Sequence, residues 1–113
     1  MTIPSPKPNE TIGHLTFRQL QTHGDRVLLE AGEEKLTGAQ IAARASAVAG
    51  AFANLGVRAG DAVIISRRDP VETVLAYLAT WYLGASPLVS DFRTPPVEIE
   101  RLAQLVGARL VVV

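Results

Sequence analysis

The chain has 113 residues, of which 48% are hydrophobic, so it is long and apolar enough to fold as one globular unit. Its 11 basic residues balance its 11 acidic residues, which excludes a general attraction to nucleic acid or to an anionic membrane. The chain contains no cysteine, which excludes disulfides, thiolate nucleophiles and cysteine zinc sites and fits a cytoplasmic location.

The first residues, MTIPSPKPNE, contain prolines and no apolar run, so they predict neither a signal peptide nor a membrane span. We expect residues 1–10 to form a flexible leader and residues 11–113 to form the folded part. A weak helical pattern begins that part, between Thr11 and His23, and a turn is expected at Gly24 and Asp25.

A β-hairpin is predicted next, because Arg26–Glu30 and Glu34–Leu36 are strand-like and a glycine lies between them. The clearest helix begins at Thr37, which together with Gln40 matches a capping box. Gly56 lies where this helix should end, since glycine readily adopts the left-handed conformation found there. The apolar stripe of the helix consists of Ile41, Ala45, Val48, Phe52 and Leu55.

Apolar runs alternate with two further helix patterns in the second half of the chain. Ala62–Ile65 is continuously apolar, as expected for a strand that is covered on both faces. Asp69 and Pro70 begin the next helix as its cap and first residue, and Thr94 and Pro95 begin the last helix in the same way. The expected inward residues are Val71, Val74, Leu75, Leu78 and Tyr82 in the first of these helices and Ile99, Leu102 and Val106 in the second.

Ser86–Ser90 and Leu110–Val113 are the remaining apolar strands, with Leu88 and Val89 at the centre of the first. A strand–helix–strand–helix–strand order with short connections is typical of βαβ units in a parallel sheet. We therefore predict a three-layer α/β fold with a mainly parallel sheet. A buried strand at the end of the sequence predicts that the sheet continues in a larger domain. The residues predicted to lie in the core are Phe52, Val74 and Leu78.

Candidate site residues are few, and each has a simpler structural explanation. Ser66–Asp69 lies between a strand and a helix, where open α/β sheets bind ligands, but a solvated loop with a helix cap explains it better. The glycines are scattered rather than gathered in a phosphate loop. His14 and His23 lack a second ligand at zinc spacing. Glu33 and Glu34 suit a polar hairpin tip better than acid–base catalysis.

Two aromatic residues and one ion pair complete the candidates. Trp81 and Tyr82 are candidates for lining an acyl pocket, although aromatics near a helix end more often pack against the sheet. Asp91 and Arg93 are expected to pair with each other or to contact a further part of the protein. We assign no catalytic, cofactor-binding or metal-binding residue, and the substrate-binding residues are not identified.

Three segments occur in a fixed order: LTGAQ at 36–40, LGVRAGDAV at 55–63 and WYLGA at 81–85. Together they resemble the N-terminal subdomain of the adenylate-forming (AMP-binding) superfamily, and in particular of its acyl- and aryl-CoA ligases. The resemblance runs from about Thr11 to Val113 and rests on the order of the segments, because none of them is specific alone. The chain departs from the family pattern at Ser66–Pro70 and at Phe92, which leaves the substrate subclass open.

The resemblance implies a two-step ligase, in which a carboxylate attacks the α-phosphate of ATP and the CoA thiol then takes the acyl group. It also implies that the phosphate loop, the magnesium ligand, the ribose-binding aspartate and the catalytic lysine follow residue 113. This chain alone would then bind no cofactor and be inactive, whereas the full-length parent would use Mg-ATP and CoA. Its expected partner is the remainder of the ligase, or a copy of itself, at an exposed sheet edge.

Two alternatives to a CoA-ligase fragment stay open. One is a stand-alone, non-catalytic interaction module that uses the open edge of the sheet to bind another chain. The other is the front of a peptide-synthetase adenylation domain, in which a carrier protein replaces CoA. Whether the chain is itself an enzyme is therefore left undecided by the sequence.

Overall fold

A computed structural model describes residues 7, 8 and 10–113. The predicted leader falls mostly on residues 1–6 and 9, which lie outside the described residues. Four helices and five strands make up the regular structure of the described part. In chain order they are α1 (Ile12–Thr22), β1 (Val27–Ala31), β2 (Glu34–Thr37), α2 (Gly38–Asn54), β3 (Ala62–Ile65), α3 (Pro70–Tyr82), β4 (Ser86–Val89), α4 (Pro96–Val106) and β5 (Ala108–Val112).

The first half of the chain follows its local sequence signals. Strands β1 and β2 pair in antiparallel fashion around a turn at Gly32, whose φ of 60° suits glycine. The predicted capping box is present, because the Gln40 amide donates to Thr37 Oγ1 at 3.2 Å and the Thr37 amide donates to Gln40 Oε1 at 2.8 Å. The predicted hairpin and helix start are thus confirmed.

The second half forms a parallel three-stranded sheet in the order β4-β3-β5. β3 lies in the centre, where Val63, Ile64 and Ile65 are each fully buried. This order places β4 and β5, which are consecutive in sequence, on opposite sides of β3, so the connection through α4 crosses over the central strand. The predicted α/β fold with a parallel sheet is confirmed.

The two faces of the sheet carry different layers. On one face, Val63 and Ile65 pack against α2 and α3 in a core cluster that also contains Phe52 and Ala79. α1, the hairpin, α2 and α3 form a second cluster beside it, with Phe17 and Leu75 among its buried residues. On the other face lies α4, whose Ile99 borders the same cleft as Val111 of β5. The sheet is therefore the middle of three layers.

The predicted start of the last helix needs correction. α4 begins at Pro96, with Pro95 at the cap position and without a side-chain cap, so Thr94 does not cap it. The Thr94 side chain lies 3.0 Å from Ser90 Oγ instead, and its amide donates to the Asp91 carbonyl. A threonine before a proline pair thus stabilises the preceding loop rather than the helix.

Some residues of the predicted apolar stripes are less buried than the sequence analysis expected. Phe52 is buried, as predicted, but Val74 and Leu78 are only half-buried, and Leu78 packs at the border of the second cluster. Leu55 lies beyond the last turn of α2 and is 63% exposed. Tyr82 and Val106, which lie at the ends of their helices, are also exposed.

Candidate functional site

The carboxyl ends of the three parallel strands meet at one side of the sheet and border an open cleft of about 1230 Å³. Open α/β sheets bind ligands at this side, because the loops that follow the strands converge there. The loop after β3, the loop after β4, the first turns of α3 and α4, and the end of β5 form its walls. The residues that matter most for its chemistry are Ser66, Arg67, Arg68, Phe92, Arg93 and Ile99.

The loop after β3 is held by its own charged side chains. Asp69 Oδ1 accepts the amides of Val71 at 2.8 Å and Glu72 at 3.2 Å, so this carboxylate caps α3 as predicted. Arg67 forms an ion pair with Glu72 and donates to the carbonyl of Val113 at 2.7 Å. Both side chains therefore have structural partners within the chain.

The loop after β4 is tied to the first loop and to itself. Ser66 Oγ donates to the carbonyl of Asp91 at 3.1 Å, which joins the two loops across the end of the sheet. The Asp91 carboxylate accepts hydrogen bonds from the Arg93 amide at 2.8 Å and from its guanidinium at 2.8 and 3.1 Å. These hydrogen bonds, mainly those of the side chain, lower the pKa of Asp91 to about 2. The local pairing of Asp91 and Arg93 is as predicted.

Phe92 projects at the mouth of the cleft between two arginines. The guanidinium carbons of Arg68 and Arg93 lie 5.7 and 5.6 Å from the centre of its ring, within the range of cation–π contacts. Phe92 is nevertheless 48% exposed. Of the three arginines that line the cleft, Arg68 is the one without an ion pair to a described residue. The sequence analysis noted Phe92 only as a departure from the family pattern and did not predict this contact.

The helix starts beside the cleft offer few free donors for an anion. A phosphate site at a helix start needs free amides, but Asp69 already occupies those of α3, and Pro95 and Pro96 provide none at the start of α4. The carboxylates of Glu72 and Asp91 neutralise two of the three lining arginines. Within residues 10–113 no three histidines, aspartates or glutamates stand together as metal ligands.

The remaining candidates lie away from the cleft and apart from one another. His14 and His23 are exposed at opposite ends of α1, and His14 touches the Tyr82 ring edge-on at 4.9 Å. Glu34 pairs with Arg44 at 2.8 Å, while Glu33 is exposed at the hairpin tip.

The two aromatics at the end of α3 do not line the cleft. Trp81 packs on Tyr77 of its own helix with ring centres 5.1 Å apart. Tyr82 packs against α1, where it meets Phe17 and His14, rather than against the sheet as its position suggested. The reason is the close approach of α1 at Gly13, which places α1 over the end of α3.

A sequence model of a family described as AMP-binding enzyme matches residues 16–113 of the chain. The chain belongs to this family. The medium/long-chain-fatty-acid–CoA ligase FadD6 of Mycobacterium tuberculosis is 39% identical over 80 residues, which are 71% of this chain and 13% of FadD6. The phenyloxazoline synthase MbtB of Mycolicibacterium paratuberculosis is 31% identical over 109 residues, which are 96% of this chain and 9% of MbtB.

Solved structures share the fold of this AMP-binding chain. The anthranilate CoA ligase AuaEII in complex with anthranoyl-AMP superposes with a TM-score of 0.80 at 24% identity, over 96% of this chain and 20% of that one. The N-terminal subdomain of NpsA from Klebsiella oxytoca superposes with a TM-score of 0.78 at 26% identity, over 89% of this chain and 26% of that one. The chain thus spans a minor part of the length of each relative. No helix in the described part is both long and apolar enough for a membrane span.

Proposed function

We propose that this chain is the N-terminal scaffold of an ATP-dependent ligase that activates a carboxylic acid as its acyl-adenylate and transfers the acyl group to the thiol of CoA. The observation that carries the proposal is the family match over residues 16–113. The name of FadD6 as a CoA ligase and the complex of AuaEII with anthranoyl-AMP support it.

The reaction has two steps. A carboxylate oxygen attacks the α-phosphorus of ATP and pyrophosphate leaves with the bonding electrons. The CoA thiol then loses its proton and attacks the acyl carbon, and AMP leaves with the electrons of the broken C–O bond. The first step needs hydrogen-bond donors and a metal aimed at the charge that develops on the phosphates. Since Arg67, Asp69, Asp91 and Arg93 are engaged within the chain, we assign them to holding the loops and not to either step. The proposed scaffold contributes the floor of a site that other parts of the ligase complete.

A second candidate function is the front of a peptide-synthetase adenylation domain, with a carrier protein as the thiol acceptor. The match to MbtB, which extends over 96% of this chain, favours it. A third candidate, the interaction module, has no specific observation in its favour. Sequencing the gene past the codon of Val113 separates them: a carrier domain supports the second and an immediate stop codon the third.

Pyrophosphate exchange with Mg-ATP and a panel of carboxylic acids tests the proposal. The 113-residue chain should show no acid-dependent exchange above a heat-denatured control, whereas a longer gene product should exchange. Acid-dependent exchange by the 113-residue chain alone would overturn the scaffold assignment and direct attention to Arg68, the arginine of the cleft without an ion pair to a described residue. A longer product that is folded but never exchanges would contradict the ligase function.

A further inference from the structure

The cleft at the carboxyl ends of the strands has walls that are largely apolar. Apolar side chains from the loop after β4, from α4 and from β5 line it, and they include Phe92, Ile99, Ala103 and Val111. Binding sites for small molecules combine such a lining with a few polar groups that fix the orientation of the ligand. The cleft therefore suits a ligand with an apolar body.

Two charged side chains of the cleft have no ion pair with a described residue. The contacts described above already engage Arg67, Asp69 and Arg93. Arg68, in the loop after β3, and Glu100, in α4, are the two that remain. A carboxylate is attracted by the first and repelled by the second, so an anionic ligand is directed toward the wall that carries Arg68.

Arg68 and Phe92 belong to the two places at which the sequence departs from the family pattern. The structure brings them together, because the guanidinium carbon of Arg68 lies 5.7 Å from the centre of the Phe92 ring. This contact with the ring holds the guanidinium at the mouth of the cleft, and no hydrogen bond to a described residue engages its N–H groups. These groups are therefore available to a carboxylate, which a guanidinium binds through two parallel hydrogen bonds.

We propose that this cleft binds a carboxylate with an apolar body. The carboxylate lies on the guanidinium of Arg68, and the body lies along Ile99 and Val111. The proposal rests on the ligase function proposed above, since it gives the acid of that reaction a binding site within these 113 residues. The paired departures at Arg68 and Phe92 then act on one property, the selection of the acid at the mouth of the cleft.

NMR titration of the isotope-labelled 113-residue chain with octanoate, octan-1-ol and acetate tests the site. Octan-1-ol has the apolar body without the charge, and acetate has the charge without the body. Octanoate should shift the amide signals of Arg68 and Phe92 and bind about tenfold or more tightly than either of the other two probes. Equal binding of octanoate and octan-1-ol, or shifts confined to residues outside the cleft, would overturn the proposal.

Arg68→Gln and Arg101→Gln are matched variants, because both arginines are exposed but only Arg68 lines the cleft. Arg68→Gln should weaken octanoate binding about tenfold, to the level of octan-1-ol, whereas Arg101→Gln should leave it unchanged. Glu100→Gln should strengthen octanoate binding or leave it unchanged, since it removes a repelling charge. The amide spectra report whether each variant folds. Equal losses for the two arginine variants would indicate a general attraction of anions and would contradict the site.

The titration and the pyrophosphate exchange assay fail independently of each other. The titration contains no ATP, so a negative result removes the acid site and leaves the ligase function standing. A longer gene product that binds octanoate through Arg68 but shows no acid-dependent exchange would contradict the ligase function and retain the site.

Discussion

The two faces of the sheet have unequal cover. On the face of α2 and α3, the side chains of Val63 and Ile65 are fully buried, and a continuous cluster extends from them to α1 and the hairpin. On the other face, α4 covers the sheet, and Ile99 is the one residue of α4 that is buried. Leu105 and Val97 of the same helix are 81% and 64% exposed.

The inequality separates the face that stabilises this chain from the face to which the proposed function assigns contacts with other parts of a ligase. Burial of apolar surface contributes about 25 cal/mol per Å², so the packed face carries most of the stability. The face covered by α4 contains the cleft. At its border, the side chains of Val111 and Val112 in β5 are half-buried. Such apolar surface at the border of a fold is typical of an interaction site.

The largest expected effect comes from the core of the packed face. Phe52→Ala should lower the free energy of unfolding by about 3–5 kcal/mol, because the ring fills the space between α2 and the sheet. Ile99→Ala beneath α4 should cost only about 2 kcal/mol, the low end of the range for such truncations, since its site borders the open cleft. Urea unfolding measures both.

Leu55→Ala is the control for this pair, because Leu55 belongs to the same predicted stripe as Phe52 but is 63% exposed. It should change the free energy of unfolding by no more than about 0.5 kcal/mol. Equal losses for Phe52→Ala and Ile99→Ala would remove the proposed difference between the two faces.

A smaller effect is expected at the contact between α1 and α3. A Cβ atom at Gly13 would overlap the carbonyl oxygen of Trp81, so Gly13→Ala must move one helix and should cost about 1–3 kcal/mol. Gly50→Ala is the matched control within α2, because no atom lies within 4 Å of the added Cβ, and it should stabilise the chain by about 0.5–1 kcal/mol. Thermal unfolding that shows the same sign for both would rule out the close packing of α1 on α3.

Helix capping should give a smaller effect that differs between α3 and α4. Asp69→Ala should cost about 1 kcal/mol, because it leaves the amides of Val71 and Glu72 without their acceptor. Thr94→Ala should cost about 0.5 kcal/mol or less, since Thr94 does not cap α4 in the structure. A loss at Thr94 as large as that at Asp69, in the same unfolding assay, would restore Thr94 as the cap that its sequence suggests.

The smallest expected effects are those of two ion pairs, Glu10–Arg18 and Asp91–Arg93. Hydrogen bonds from Arg18 lower the pKa of Glu10 from 4.5 to about 2, and those from Arg93 lower the pKa of Asp91 from 3.8 to about 2. Because both values are lowered on folding, the stability that these pairs contribute is present above the ordinary pKa and is lost as the pH falls toward 2.

Carbon-detected NMR titration of the carboxyl groups measures both pKa values. Arg18→Gln should return the pKa of Glu10 toward its ordinary value, and Arg93→Gln should do the same for Asp91, each without effect on the other carboxyl group. A titration near the ordinary value in the unsubstituted chain would show that the ion pair does not persist in solution.

Local signals predicted the elements of this fold well. The capping box at Thr37 and the aspartate–proline start of α3 depend on neighbours within a few residues, so their outcome follows from the local sequence. The start of α4 was misplaced by one residue because two prolines compete for the first helical position. The side chains that line the cleft could not be grouped from sequence, since Ser66 and Asp91 meet across 25 positions of the chain.

The sequence by itself determined the order of strands and helices, the parallel sheet and the resemblance to AMP-binding enzymes, because these follow from periodicity, caps and turns along the chain. Only the tertiary structure decided which arginines of the cleft are engaged and which edge of the sheet presents a proline. An ion pair depends on where a loop places its partner, and an edge depends on which way a backbone group points. Pro87 is evident in the sequence, but only the pairing of β4 with β3 shows that the backbone of Pro87 points away from β3.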